Sequence, residues 1–76
     1  MTENEWMTEF SYNLSNMLYE NRMSQAELAR ATGLNDSTIS RYLNKERMPN
    51  IRNVLKICYV LRCDVEDLMD FGDIIE

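Results

Sequence analysis

The sequence lacks the side chains from which most metal centres and many active sites are built. Its 76 residues include no histidine and only two cysteines, Cys58 and Cys63. A protein zinc ion usually takes four such ligands, so this pair is too small a set for a metal site. Without histidine for proton transfer, and in a chain too short to enclose an obvious pocket, we expect no catalytic residue, no cofactor and no small-molecule substrate. The protein is therefore predicted not to be an enzyme.

Long apolar runs and a basic leader are also missing. No stretch approaches the roughly 20 apolar residues that a membrane span needs. Residues 2–10, TENEWMTEF, lack the basic start of a signal peptide. We therefore expect a cytoplasmic protein without a membrane partner. Cys58 and Cys63 could pair with each other, but both fall at inward positions of the helical pattern, and we expect reduced core thiols.

Only two glycines and one proline interrupt a pattern that is otherwise helical. The chain is long enough for a single domain, 1–76, which would bury about 60% of the surface of its unfolded form. Apolar spacings of three and four predict a first helix from about Glu3 to Asn21, with Thr2 and Glu5 as a capping box. Its inward side chains would be Trp6, Phe10, Leu14, Met17 and Leu18.

Four shorter helices should follow, which gives an all-α fold, a compact bundle of five short helices. The third helix would run from Asp36 to about Asn44, and the fifth is the segment VEDLMD. The capping residues of these four helices would be Ser24, Asn35, Asn50 and Asp64. The inward residues of the fourth helix, which follows Pro49, would be Ile51, Val54, Leu55, Cys58 and Leu61.

Residues Gln25 to Tyr42, QAELARATGLNDSTISRY, have the layout of a helix-turn-helix that extends over about 24–44. Gly33 stands at the hinge, where a positive φ costs glycine almost nothing. Ala29 is expected where the two helices cross too closely for a larger side chain. Because Ile39 faces inward with Tyr42, the other face of the second of these helices is free to enter the major groove of DNA.

The net charge of −5 argues against a polyanionic partner until its distribution is considered. Residues 1–21 carry four acids and no base, and residues 57–76 carry six acids and one base. Residues 22–56 carry seven bases and three acids, so the three blocks sum to −4, +4 and −5. Screening acts over about 8 Å at physiological salt, so a phosphate near the central block would feel mainly its local positive excess. The acidic ends should weaken nonspecific binding.

The last residues, 70–76, contain three large apolar side chains, Phe71, Ile74 and Ile75, that have no obvious place in so small a core. They could form a frayed tail that folds back on its own domain. They could instead form a subunit contact, a dimerisation tail to which Trp6 and Met7 contribute, because clustered apolar groups at an end often mark an interface.

Between Ser24 and Met69, the segments SQAELARATG and STISRYLN, the proline, and then LKICYVL and VEDLM resemble the lambda-repressor and Cro-like helix-turn-helix family, also called the XRE type. The span from Ser24 to Met69 is about three fifths of the chain, and most of the remainder fits the first helix of the family. The resemblance implies a compact bundle of four or five helices that binds operator DNA as a two-fold dimer.

The resemblance also implies which residues contact DNA. In the family the start of the third helix reads bases, which gives Asp36, Ser37 and Arg41 here. Arg41 could donate two hydrogen bonds to a guanine, a pairing worth about 1 to 3 kcal/mol of discrimination. The residues expected at the sugar-phosphate backbone are Gln25, Asn35, Thr38, Asn44, Lys45 and Arg47.

Each of these assignments has a purely structural alternative. Arg41 could be a solvated arginine, and Asp36 could simply favour the helix dipole. Gln25 could pair only with side chains of the third helix. Arg52 and Lys56, which the family does not single out, are interpreted as solubility charges.

Two positions depart from the family pattern. Many relatives carry an arginine in the first helix paired with a glutamate late in the third, and these places are Leu18 and Leu43 here. Replacing a buried ion pair by packed apolar groups should cost the fold little. At Lys45, relatives usually have a glycine with positive φ, so lysine should strain the turn by about 1 kcal/mol or reshape it.

The leading functional hypothesis is a sequence-specific transcriptional regulator, a repressor by its resemblance to the family, that binds double-stranded DNA as a homodimer on a palindromic operator. The alternative is a protein-interaction module, such as an antitoxin-like or antirepressor component, with weak or no DNA binding. The acidic flanks favour this alternative, whereas the basic centre favours DNA.

Overall fold

The fold is known from a computed structural model that describes residues 2–69. Within this range the chain forms five helices and no strand, which confirms the predicted all-α bundle. The helices are α1 (Glu3–Glu20), α2 (Gln25–Thr32), α3 (Asp36–Leu43), α4 (Ile51–Leu61) and α5 (Val65–Leu68). The proposed dimerisation tail, with Phe71, Ile74 and Ile75, lies outside the described residues.

A single apolar core joins the helices. α1 packs against α3 and α5, α2 packs against α3 and α4, and α4 also packs against α5. Phe10 stacks on Trp6 with ring centroids 5.8 Å apart and meets Tyr42 edge-to-face at 5.9 Å, so aromatic contacts tie α1 to α3. Of the predicted inward residues of α1, only Met17 is partly exposed, at the edge of the core.

The positions of the family's ion pair are apolar, as expected. Leu18 is buried in the core, and Leu43, at the end of α3, is partly buried and packs against the core. The Leu43 carbonyl also accepts a 2.6 Å hydrogen bond from Ser11 Oγ on α1. α1 and α3 are therefore held together without a buried charge.

Polar caps begin most of the helices where the sequence predicts them. Ser24 and Glu27 form a reciprocal capping box at α2, with both hydrogen bonds at 3.1 Å. Asn50 Oδ1 accepts from the backbone N–H of Asn53 at 2.8 Å, and Thr2 Oγ1 accepts from the N–H of Glu5 at 3.1 Å. These bonds satisfy amide groups that have no partner within the helix.

Helices α1 to α4 are each followed by a left-handed residue, and three of these four residues carry basic side chains. Gly33 has φ +77° after α2, as its hinge position predicts, but Arg22, Lys45 and Arg62 also have φ between +52° and +62°. After Arg22, Lys45 and Arg62 the next amide returns to the last turn of the preceding helix, over 2.9, 2.8 and 3.0 Å respectively. A cation beside these carbonyls is favourable, because the C-terminal end of a helix carries partial negative charge.

The predicted inward face of α4 is partly wrong. Val54, Cys58 and Leu61 are buried, but Ile51 and Leu55 are exposed and Ile57 takes the inward place. The apolar residues of α4 fit two overlapping registers, 51, 54, 55, 58 and 54, 57, 58, 61, which both have helical spacing. Packing on α2 and α5 selects the second register, which periodicity alone could not do.

The two cysteines are unpaired thiols, as predicted. Burial raises the pKa of Cys58, and burial with the neighbouring Cys58 raises the pKa of Cys63 to about 12. Both groups are therefore protonated at neutral pH. Among residues 2–69, no helix has the length and apolar character to cross a membrane.

Candidate nucleic-acid interface

α3 has one buried face and one open face. Ile39 and Tyr42 are fully buried, while Ser37, Arg41 and Asn44 are exposed on the opposite side. Successive residues of a helix are about 100° apart, so these three side chains form one row along the outer surface of α3. The row contains a guanidinium, a hydroxyl and an amide, all of which can hydrogen-bond to base edges or phosphates.

The helix-turn-helix is fixed by packing and by a side-chain bridge. Ala29 is buried beside α3, as the close crossing of the two helices requires. The amide nitrogen of Gln25 donates to the Asp36 carboxylate at 3.1 Å and to the Asp36 carbonyl at 3.3 Å. The first residue of α2 is thus bound to the first residue of α3, and both helix N-termini are held at the same end of the motif.

This bridge bears on two predicted contacts. The structural alternative for Gln25, pairing with the third helix, is present in the structure. One Asp36 oxygen, Oδ1, is occupied by that pairing. Both hydrogen bonds use the Gln25 amide nitrogen, so a phosphate contact from this nitrogen would require Gln25 to give up at least one of them. A role for Asp36 at a base would use its other carboxylate oxygen, and both roles stay predictions.

The start of α3 is capped differently from the other helices. Asn35 occupies the cap position, but its side chain makes no cap hydrogen bond, contrary to its expected role as the side-chain cap. Its backbone carbonyl instead accepts from the Thr38 amide at 3.0 Å. The exposed Asn35 amide is therefore available to a ligand, whereas Thr38 is half-buried beside it.

The turn after α3 keeps the conformation for which relatives use glycine. Lys45 adopts φ +62°, so lysine does not reshape the turn but occupies it in the left-handed region. The amide of Glu46 donates to the Arg41 carbonyl at 2.8 Å and closes the turn. Lys45 and Arg47 are both exposed directly after the outer row of α3.

Two polar contacts near this turn were not anticipated from the sequence. Asn44 Nδ2 donates to Ser40 Oγ at 3.3 Å, which orients the Asn44 side chain along α3. Asn53 Nδ2 donates to the Tyr42 hydroxyl at 2.8 Å and so links α4 to the buried side of α3. The inward position of Tyr42 in the sequence pattern is the signal for such a contact, because a buried hydroxyl usually has a hydrogen-bond partner.

A comparison with family models shows to which family the chain belongs. The model of the Cro/C1-type HTH DNA-binding domain matches residues 13–73, most of the chain. The chain belongs to the Cro/C1-type helix-turn-helix family. This result confirms the resemblance that the sequence suggested.

A solved structure shows the same fold in a longer protein. The Cro/C1-type chain is similar to an HTH_3 family transcriptional regulator from Vibrio cholerae, with a TM-score of 0.84 and 19% sequence identity. The match covers 95% of this chain but only 39% of the Vibrio chain. A search of curated proteins found no match.

The charges of the Cro/C1-type domain are arranged around its outer row. Arg41, Lys45 and Arg47 lie on α3 and its following turn, with Asp36 and Glu46 as the acids of the same segment. The segment is therefore positive, although the chain as a whole is negative. Because of screening, this local charge is what a close phosphate would feel.

Proposed function

We propose that the chain is a transcriptional regulator that binds double-stranded DNA sequence-specifically, as a repressor dimer on a palindromic operator. The observation that carries this proposal is the row Ser37, Arg41 and Asn44. It lies on the open face of a helix whose other face is locked into the core by Ile39 and Tyr42. A rigid helix with polar side chains on its outer face can enter the major groove without unfolding any part of the domain.

In this proposal some residues of α3 contact bases, and the other residues contact the sugar-phosphate backbone. Arg41 pairs with a guanine, and Ser37 contacts a neighbouring base edge. Asp36, with one oxygen held by Gln25, uses the other to accept from a cytosine or adenine amino group. The residues proposed to hold phosphates and fix the register are Gln25, Asn35, Thr38, Asn44, Lys45 and Arg47.

The dimer and repression are further parts of this proposal. Two copies related by a two-fold axis would present their α3 helices about 34 Å apart, one turn of DNA, to the two halves of a palindrome. A small domain that covers operator DNA blocks other proteins from the same site, and repression is the outcome proposed for that reason.

Titration of pooled random duplexes at two salt concentrations tests the proposal. We expect saturable binding that weakens steeply as salt increases, because released counterions drive the phosphate contacts. Selection from the pool should then enrich a sequence with two-fold symmetry. Absence of saturable binding at low salt would refute the proposal.

A protein-interaction module is the second candidate, and one observation favours it. Tyr19 on α1 and Tyr59 on α4 are more than four-fifths exposed on a domain with net charge −5. Large exposed aromatic side chains are common anchors of protein interfaces. If the duplex titration shows no binding, this candidate replaces the first.

A further inference from the structure

α4 presents a row of large apolar side chains to solvent. Ile51, Leu55 and Tyr59 are 58%, 52% and 87% exposed and follow each other at intervals of four residues. With Ala31 of α2 they line a groove of about 530 Å³ between α2 and α4. Contiguous apolar side chains of this size, rimmed by polar groups, mark an interaction site more often than chance exposure.

The rim of this groove, which we call the α4 groove, is basic. Arg52 and Lys56 line it, and no acidic side chain does so within the described residues. The chemistry that fits is a segment with large apolar side chains and carboxylates. Packing α4 against α4 of a second copy fits poorly, because it would bring Arg52 and Lys56 close to the same cations of the partner.

A segment of this chemistry exists in the chain itself. Residues 70–76, DFGDIIE, contain three acids, no base, and the apolar side chains Phe71, Ile74 and Ile75. Their three carboxylates complement the two cations of the groove. Their apolar side chains complement Ile51, Leu55 and Tyr59.

The place where this segment leaves the fold favours a second copy as its receptor. Asn13 Nδ2 on α1 donates to the Leu68 carbonyl at 3.0 Å, and Met69 is buried, so the chain leaves beside α1. No residue of α1 or α5 lines the α4 groove. Packed helix axes lie about 8 to 10 Å apart, so crossing α4 from α5 towards α2 takes about 20 Å. An extended chain gains about 3.5 Å per residue, so Ile75 could just span this distance from Met69, whereas Phe71 reaches only about 7 Å. The three apolar side chains therefore cannot all seat in the groove of their own copy.

We propose that the α4 groove of one copy receives residues 70–76 of a second copy, and that the exchange is reciprocal across a two-fold axis. This inference rests on the proposed function, which requires a dimer. It adds the surface that joins the two copies. Reciprocal exchange closes the dimer and leaves no groove open for a third copy.

Full-length variants measured by sedimentation equilibrium without DNA test this inference. Leu55→Asp places a carboxylate in the groove, and Ile74→Asp places one in the segment. Each should raise the dimer dissociation constant about 30-fold or more, the usual effect of losing a central interface anchor. Tyr19→Asp, the same change at an exposed aromatic side chain on α1, should leave the constant unchanged. Circular dichroism checks that each variant folds, which the exposure of these sites predicts for Leu55 and Tyr19.

Mixing the two variants distinguishes exchange of residues 70–76 between copies from binding of these residues to the groove of their own copy. The Leu55→Asp chain keeps an intact segment and the Ile74→Asp chain keeps an intact groove, so an equimolar mixture should form heterodimers through one complete contact. The inference is overturned if the variants dimerise like the unmodified chain, if the unmodified chain is monomeric, or if mixing the two variants forms no heterodimer.

Binding to a duplex with a single half-site distinguishes this inference from the proposed function. Both variants should bind the half-site as the unmodified chain does, because neither change touches α3 or the turn after it. A chain that dimerises through the groove but binds no DNA would refute the proposed function alone. If the chain binds operator DNA but its two variants dimerise normally, only the inference about the α4 groove is refuted.

Discussion

Arg41 is the residue on which the proposed sequence recognition depends most. It lies on the open side of α3, opposite Ile39 and Tyr42, and a guanidinium has the fork geometry that matches O6 and N7 of guanine. Arg47, by contrast, lies past the turn after α3 and is proposed to contact phosphate.

Replacing Arg41 by alanine should therefore relax base preference at one operator position per half-site. We expect a loss of about 1 to 3 kcal/mol of discrimination at that position, with the thermal midpoint unchanged because the side chain is exposed. Arg47→Ala is the matched control, and it should weaken all sequences alike and lower the salt slope by about one. Selection of the same sites by the Arg41 variant would contradict the assignment.

Lys45 combines a conformational cost with a proposed contact. Its φ of +62° lies in the left-handed region, which disfavours a side chain by about 1 kcal/mol relative to glycine. Arg62 has the same conformation after α4, away from α3. The two positions therefore separate the effect on folding from the effect on DNA.

Lys45→Gly should increase the free energy of unfolding by about 1 kcal/mol in urea denaturation and should lower the salt slope of DNA binding by about one. Arg62→Gly should give a similar gain in stability with an unchanged salt slope. Equal salt slopes for the two glycine variants would show that Lys45 does not contact phosphate.

The helix starts show that one residue type can have two roles. Asn50 caps α4 with its side chain, whereas Asn35 occupies the same position at α3 without a side-chain cap. Asn50→Ala should cost about 1 kcal/mol of unfolding free energy, and Asn35→Ala well under half of that. Urea denaturation of the two variants measures the difference. Equal losses of unfolding free energy would mean that the Asn35 side chain caps α3 in solution and is not free to contact DNA.

The capping box of α2 makes stability depend on pH. Hydrogen bonds from the backbone N–H and hydroxyl of Ser24 hold the pKa of Glu27 below its ordinary value of 4.5. A lowered pKa in the folded state means that the stabilisation is complete above about pH 4.5 and is lost as pH falls through the folded pKa. Glu27→Gln should therefore lose less stability than the unmodified chain between neutral pH and pH 3. Thermal midpoints across this range give the comparison, and parallel profiles would contradict it.

The sequence predicts the helices better than it predicts their environment. Capping residues and apolar spacing locate all five helices, and Gly33 marks the hinge, because these signals act within a few residues of the chain. The inward face of α4 was missed because two registers fit its apolar residues, and only its packing partners choose between them. The hydrogen bond between Asn53 and Tyr42 was missed, and pairing of Gln25 with the third helix was predicted only as an alternative, because both contacts join residues eleven positions apart.

At the scale of the whole molecule, most basic residues lie in the central block of the chain, which contains both the surface proposed to bind DNA and the basic α4 groove. The central block, 22–56, has a charge of +4, while the flanking blocks contribute −4 and −5. The acidic flanks repel DNA that is not seated on α3, so affinity for random sequence should be weak relative to affinity for the operator. Segment 70–76 carries part of the acidic charge, and its proposed contact with the basic α4 groove would use that charge within the dimer.

The most direct test of the account is to map amide chemical shifts of the full chain by NMR as a selected operator duplex is added. The account predicts that the largest changes fall on Gln25, on residues 35–41 and on residues 44–47, with little change along the exposed row of α4. Changes confined to α1 or to the α4 groove, with α3 and its turn unaffected, would contradict the claim that the open face of α3 meets DNA.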